Sequence, residues 1–260
     1  PLMGTINLHG SLLPQYRGAA PINWAIINGE KNTGVTTFKL KHEIDTGDIL
    51  LQESFEINEN DTAGDVHDKM KEIGAQLLVN TIKGLANGTL AELPQSEIAN
   101  PKSEIIHHAP KIFTETCKID FTKSVAEVHN LIRGLSPFPG AYTMLNGKML
   151  KIYKAIREDG IKLSGGLYET DGKTFLKFAC ADGYVLVKEL QSLGMDVELL
   201  GKDGLVSSAS EEPEIIVPNM PTIMPLVPES SLFADEVKKD SKKYKKDKKS
   251  APPSHSLRAC

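Results

Sequence analysis

Three side chains near the start of this 260-residue sequence could do chemistry together: those of Asn7, His9 and Asp45. Asn7 and His9 stand two apart in Ile6-Asn7-Leu8-His9, at the end of a run (residues 4–8) that reads as a strand leading into a turn. That spacing puts both side chains on one face. Asp45 falls in a polar, glycine-containing stretch, residues 42–48, between two strand-like runs. An amide, an imidazole and a carboxylate suit acyl transfer to an amine. The amide N–H donates to the oxygen that becomes negative as the amine adds. An imidazolium adds a second, charged donor. A carboxylate stabilises the charged imidazole and accepts, directly or through water, the proton that the amine loses. No Ser or Cys nucleophile is needed when the amine attacks directly. On spacing alone the bland reading is the stronger, since N-x-H on a strand is usually structural and an Asp beside a Gly most often only makes a turn.

The elements that must position these groups follow from local patterns. Pro21 stands where a helix begins, residues 22–28 continue it, and Asn28-Gly29 stops it. Residues 35–40 and 49–57 read as strands on their Val, Thr, Ile and Phe content. A long amphipathic helix follows, capped by Asp61 or Thr62, with Val66, Met70, Ile73, Leu77, Leu78, Ile82 and Leu85 at helical spacing. Asn87-Gly88 ends it. Residues 91–116 show no period and carry Pro94, Pro101 and Pro110, which reads as a linker. Ser124 and Glu127 form a capping box ahead of Val125, Val128, Leu131 and Ile132. Strand-like runs then cover residues 141–145, 150–155, 174–180 and 184–190. The pairs Asn146-Gly147, Asp171-Gly172 and Asp182-Gly183 separate them as hairpin turns, and together they suggest a small barrel or Greek-key sheet.

Composition narrows the function classes. The net charge of −4 argues against a protein held on nucleic acid by bulk charge alone. Cys117, Cys180 and Cys260 are odd in number and far apart, so neither a disulfide framework nor a zinc site is expected. No signal peptide or membrane-spanning run is present; the apolar stretch 215–227 is broken by Pro218, Pro221 and Pro225. Residues 207–236 hold six acidic residues, no basic ones and five prolines, and residues 238–249 hold eight lysines, so both read as disordered.

The run Ile6-Asn7-Leu8-His9-Gly10-Ser11-Leu12-Leu13-Pro14 resembles the N-x-H-x-S-L-L-P signature of the 10-formyltetrahydrofolate-dependent formyltransferases. His42-Glu43-Ile44-Asp45-Thr46-Gly47-Asp48-Ile49 resembles that family's second signature, D-x-G-x-I. The resemblance implies that Asn7 and His9 stabilise an oxyanion, that Asp45 is the catalytic partner of the histidine, and that Ser11, Leu12, Leu13 and Pro14 form the loop contacting the folate. It implies 10-formyltetrahydrofolate as co-substrate and no metal. Two more stretches are similar to segments of the family members that act on methionyl-tRNA. One is Tyr16-Arg17-Gly18-Ala19-Ala20-Pro21-Ile22-Asn23-Trp24-Ala25-Ile26. The other is His129-Asn130-Leu131-Ile132-Arg133-Gly134-Leu135-Ser136-Pro137-Phe138-Pro139-Gly140-Ala141. They imply transfer of the formyl group to the free amino group of initiator methionyl-tRNA for translation initiation. They also imply a cytoplasmic (or organellar) monomer with no membrane contact.

The implied fold is α/β: the carboxyl-terminal part of a Rossmann-like formyltransferase domain over residues 1–90, the linker 91–116, a small OB-like β-barrel over 117–205 that binds tRNA, and a disordered tail over 206–260. Family members place on the order of 90 residues or more of Rossmann-like domain before the N-x-H strand. The resemblance therefore implies an absent first half, a parallel sheet with an open edge, and a chain that is unstable or inactive alone. Two alternatives stand beside this reading: an amino-sugar N-formyltransferase, which needs no RNA-facing barrel, and an inactive remnant that binds RNA or a partner.

Other residues keep two readings. Trp24 suits core packing better than ligand stacking. His42, His67, His107 and His108 lack metal-ligand spacing. Arg17 could meet an anionic substrate or pair within its turn. Arg133, Lys148, Lys151 and Lys154 could face phosphates or solvent. The lysine run, interrupted by Asp240 and Asp247, could touch RNA or be a solvated tail.

Overall fold

The computed structural model describes residues 4–98, 105–145, 148–160, 165–192, 198–199 and 224–225. In chain order the elements of the first part are β1 (Ile6–His9), β2 (Arg17–Gly18), α1 (Pro21–Ile27), β3 (Asn32–Lys39), β4 (Ile49–Glu56), α2 (Ala63–Ala86), α3 (Gln95–Ile98) and β5 (His108–Ala109). A 3-10 turn, Thr114–Cys117, leads to α4 (Val125–Gly134), β6 (Ala141–Leu145), β7 (Lys148–Glu158), β8 (Leu167–Thr170), β9 (Leu176–Ala179), β10 (Tyr184–Ser192), β11 (Glu198–Leu199) and β12 (Met224–Pro225).

The sheet that carries β1 has the order β1-β3-β4 and is antiparallel throughout, with His9 opposite Thr36 and Thr36 opposite Gln52. This corrects the expected parallel sheet. The reason is local: residues 40–48 between β3 and β4 are fewer than the dozen or so that a parallel crossover requires, so the pair closes as a hairpin. Parallel pairing occurs between the two-residue strands β2 and β5.

Helix α2 covers this sheet. Its amino end is a full capping box: Thr62 accepts from the Asp65 amide, and Asp65 accepts from the Thr62 amide. Val66, Met70 and Leu77 form the buried stripe, as their spacing predicts. Ile82 does not join it and is exposed; Thr81 is buried instead. Position 81 faces the sheet, where its hydroxyl meets that of Thr37 at 2.8 Å and donates to Leu77 O. A polar pair therefore occupies a place where hydrophobic periodicity alone expects none.

The second part is one antiparallel sheet, β12-β8-β9-β10-β7-β6, with β11 beside β10. Register shifts on either side of Glu189, where β10 meets β7, bend and twist the ladder, and the sheet curls. Helix α4, capped by Ser124 and Glu127 as predicted, packs against it. Phe178 lies at the centre with no solvent exposure, stacked on Phe121 at 4.7 Å between ring centroids. Asp171-Gly172 turns as expected, the Asp171 carboxylate accepting from the Lys173 and Thr174 amides. The Asn146-Gly147 turn, most of the expected tail 206–260 and the lysine run lie outside the described residues; Met224–Pro225 pair with β8.

The two parts meet through helices. Asn23 of α1 donates its side-chain amide to Gly134 O on α4 at 2.7 Å, and Gly64 N–H donates to Ser136 O. Gly134 is required there: a Cβ would come within 2.7 Å of Ile27 Cγ1 and 3.1 Å of its backbone nitrogen. The segment 91–116 is not a bare strap. Leu93 exchanges both backbone hydrogen bonds with Ile49, α3 follows, and β5 adds to β2. Among the described residues no helix is long and apolar enough to cross a membrane.

Candidate active site

The site begins on β1. Alternation along the strand leaves Leu8 exposed and turns His9 inward, where it is 7% exposed. Asn7, two residues earlier, is half-buried. Its Oδ1 accepts the Leu8 amide at 3.0 Å, which leaves its amide nitrogen as a donor with no partner among the described residues. His9 Nε2 lies 2.9 Å from Tyr16 O. A carbonyl only accepts, so Nε2 carries the hydrogen and Nδ1 is the remaining ring nitrogen. Nδ1 faces Asp45 Oδ2 at 3.7 Å. The ring also stands edge-on to Phe38 of β3.

Asp45 reaches this position from the β3–β4 loop with a backbone φ of +53°, in the left-handed region that non-glycine residues seldom occupy. Its carboxylate is 11% exposed and accepts the Gly18 amide at 3.0 Å. Gly18 can be nothing else: its φ is +128°, and a Cβ would lie 2.4 Å from Ala109 O across the β2–β5 pairing. Asn7, His9 and Asp45 thus come from one strand and one loop, and the histidine and the aspartate are neighbours.

The loop Ser11–Pro14 is anchored from below by Thr36. Its hydroxyl donates to Ser11 O at 2.6 Å and accepts from the Leu13 amide at 3.1 Å and from Gln52 Nε2 at 2.9 Å. Gln52 also donates to Leu13 O. Ser11 Oγ donates to Gln15 O. Ser11, Leu13 and Pro14 are buried, while Leu12 is half-buried. The side chains of Ser11 and Leu13 therefore serve the shape of the loop.

Two residues beside the site were not legible as partners. Gln95, on α3 within the stretch read as linker, is 4% exposed and donates to Asp45 O and Gly47 O, each at 2.8 Å. Arg17 donates to Gln95 Oε1 through Nε and Nη2. The partner of Arg17 is thus not within its own turn but 78 residues away. Tyr16 is held by burial and by its hydrogen bond to Glu30, both of which raise its phenol above the ordinary value. His107 stacks on its ring at 5.6 Å.

The remaining residues singled out from the sequence lie elsewhere. Trp24 packs on the first-part core and donates its indole N–H to Pro110 O at 2.8 Å. His67 pairs with Asp68. No cluster of three or more metal-ligating side chains occurs among the described residues. Arg133 is buried: Nη1 donates to Asp61 O at 3.0 Å and Nε to Asn130 Oδ1 at 2.9 Å. Lys154 pairs with Glu189, and Lys151 donates to Pro139 O. Two clefts of about 490 and 320 Å³ share Arg133 as a wall and contain none of Asn7, His9 and Asp45.

Residues 1–82 match the Formyl transferase family and residues 111–198 match the formyl transferase C-terminal domain. The chain is 47% identical to the methionyl-tRNA formyltransferase of Azobacteroides pseudotrichonymphae over 201 residues, covering 75% of this chain and 62% of that protein. It is 46% identical to the protein of the same name from Phocaeicola vulgatus, covering 75% and 61%. The chain therefore spans about 60% of the length of these relatives. Among solved structures it is similar to an N-formyltransferase of Helicobacter canadensis in complex with folinic acid and dTDP-3-aminofucose. The TM-score is 0.56 at 28% identity, over 70% of this chain and 64% of that one.

Proposed function

Because the chain belongs to the formyl transferase family, we propose that its site transfers a formyl group from 10-formyltetrahydrofolate to the free amino group of methionyl-tRNA. The observation that carries this reading is the approach of His9 Nδ1 to Asp45 Oδ2 at 3.7 Å, on the strand that also presents the uncommitted amide of Asn7. A free donor beside a histidine and a carboxylate fits the needs of a formyl donor, whose oxygen gains negative charge when an amine adds to its carbon.

The roles follow from the chemistry of each group. The co-substrate supplies the formyl carbon. Asn7 donates its N–H to the formyl oxygen as charge develops. His9, with Nε2–H committed to Tyr16 O, adds positive charge near that oxygen when Nδ1 is also protonated. Asp45 balances that charge and accepts, directly or through water, the proton that the attacking nitrogen loses as its bond to carbon forms. The folate nitrogen takes a proton as its bond to the formyl carbon breaks. The Ser11–Pro14 loop, fixed by Thr36, offers the folate its backbone and Leu12. Folinic acid in the Helicobacter canadensis structure supports a folate in this fold.

In this reading residues 1–90 form the catalytic part, 91–116 the connection, 117–205 an OB-like module that meets the tRNA, and 206–260 a tail. The chain acts as a monomer in the cytoplasm. The amino-sugar alternative has weaker support. The solved sugar enzyme is 28% identical, against 47% for the tRNA enzyme over a similar length.

The test is formyl transfer to methionyl-tRNA by the full-length protein. Replacing His9 or Asp45 by Ala should cost about 10²-fold or more in kcat, with donor affinity and Tm close to wild type. Turnover within a factor of about two of wild type in either variant would refute the assigned roles.

A further inference from the structure

We propose that Gln95, locked by Arg17, is a positioning residue for Asp45 in formyl transfer. The inference rests on the function proposed above and adds a residue that neither the sequence signatures nor the comparisons assign.

The β3–β4 loop cannot hold Asp45 by itself. Its neighbours are open to solvent: Ile44 is 78% exposed. Asp45 itself adopts a φ of +53°, and a non-glycine residue stays in that region only when its surroundings over-determine it. Three hydrogen bonds do so. Gly18 N–H fixes the carboxylate. Gln95 fixes the backbone, giving one amide hydrogen to Asp45 O and the other to Gly47 O. Both hydrogens of the amide are thereby used, and its oxygen receives Arg17 Nε and Nη2. Arg17 and Gly18 are adjacent, so one dipeptide grips Asp45 at both ends: the carboxylate directly, the backbone through Gln95. Gln95 in turn follows Leu93, which is bonded to Ile49 at the far end of the same loop. The distance between Asp45 and His9 is thus set from outside the loop.

A residue that only fills space would behave differently from one that acts through Asp45, and Gln95→Glu separates the two. It keeps the shape and the acceptor for Arg17 but removes both donors to the loop carbonyls. In the full-length protein, Gln95→Glu should lower kcat about ten-fold while KM for methionyl-tRNA changes less than about two-fold. In an Asp45→Ala background the same substitution should change kcat less than about two-fold. An equal ten-fold loss in both backgrounds, or no loss in the wild-type background, overturns the proposal. A second readout needs no turnover. In the full chain, Gln95→Glu should raise amide hydrogen exchange at Gly18 by about ten-fold or more, leaving the β3–β4 ladder protected. Unchanged Gly18 exchange also overturns it. If Asp45→Ala alone turns over like wild type, the underlying function fails and this role falls with it, a result distinct from either outcome for Gln95.

Discussion

The interiors of the two parts are built differently. Beneath the curled sheet lies one continuous core in which Phe121, Ile132, Leu135, Ile152, Phe178, Val185 and Val187 are all in one cluster. Beneath β1-β3-β4 the apolar residues divide. One cluster surrounds Ile26, Val35 and Val66, and a small second one holds Leu13, Phe38 and Ile49. Buried polar groups, among them His9, Ser11, Thr33, Thr36, Thr37, Thr81 and Gln95, occupy much of the rest of that part. Apolar packing is non-directional and tolerates small shifts, whereas a buried hydrogen bond fixes distance and angle. The part that carries the site is thus organised by directional bonds, and the other by bulk.

Mutations can break this contrast in decreasing order of effect. Phe178→Ala should be the most damaging. It empties the centre of the single core and should cost about 3–5 kcal/mol of stability in denaturant titration, with both parts melting less cooperatively. A cost below about 1 kcal/mol would mean the core is not continuous. Thr36→Val comes next. It removes no volume but orphans Ser11 O and the Leu13 amide in a buried setting, at about 2–3 kcal/mol. If the Ser11–Pro14 loop meets folate as proposed, freeing it should also weaken folate binding. Equal folate affinity in wild type and variant would separate the loop from the ligand.

The smallest effect concerns pH. Burial, and then the nearby Arg133, lower the His129 imidazole below its ordinary value of 6.5. The unfolded chain therefore binds a proton that the folded one refuses. The contribution of His129 is complete above about pH 6.5 and declines as pH falls toward the lowered folded value. Asp61 is also held below its ordinary carboxylate value; burial opposes that shift, but the bonds to Lys69 and Asn58 outweigh it, so its own effect belongs to more acid solution. Tm should fall between about pH 7.5 and 5.5, and His129→Gln should flatten that slope. An identical slope in the variant would assign the dependence to another group.

The contrast also explains what the sequence disclosed. The caps of α2 and α4 were legible because capping boxes are local. The β9–β10 hairpin was legible because Asp182-Gly183 punctuates it. β8 was missed: Leu167–Thr170 is four residues long and carries no alternation to count. As candidates for the site, Asn7, His9 and Asp45 were legible by type and by resemblance to a family signature. Gln95 was not, since an amide reaching back fifty residues to two carbonyls leaves no period and no motif in a proline-punctuated stretch. The same stretch read as a linker because its backbone partners, Ile49 and Arg17–Gly18, are supplied from elsewhere in the chain. Side-chain-to-backbone bonds over long separations are the part of a fold that single-sequence patterns do not record.

The missing Cβ at Gly134 has one more consequence. It lets α4 lie against Ile27, while Asn23 on the same helix bonds to Gly134 O and Arg133 bonds to the Asp61 carbonyl. Helix α1 is thus shared property: its Ile26 belongs to the first core and its Ile27 leans on the second. The contacts across the junction therefore reinforce the covalent connection between the parts, so a chain cut between them is expected to hold together through α1 and α4, which gel filtration of the cut protein would check.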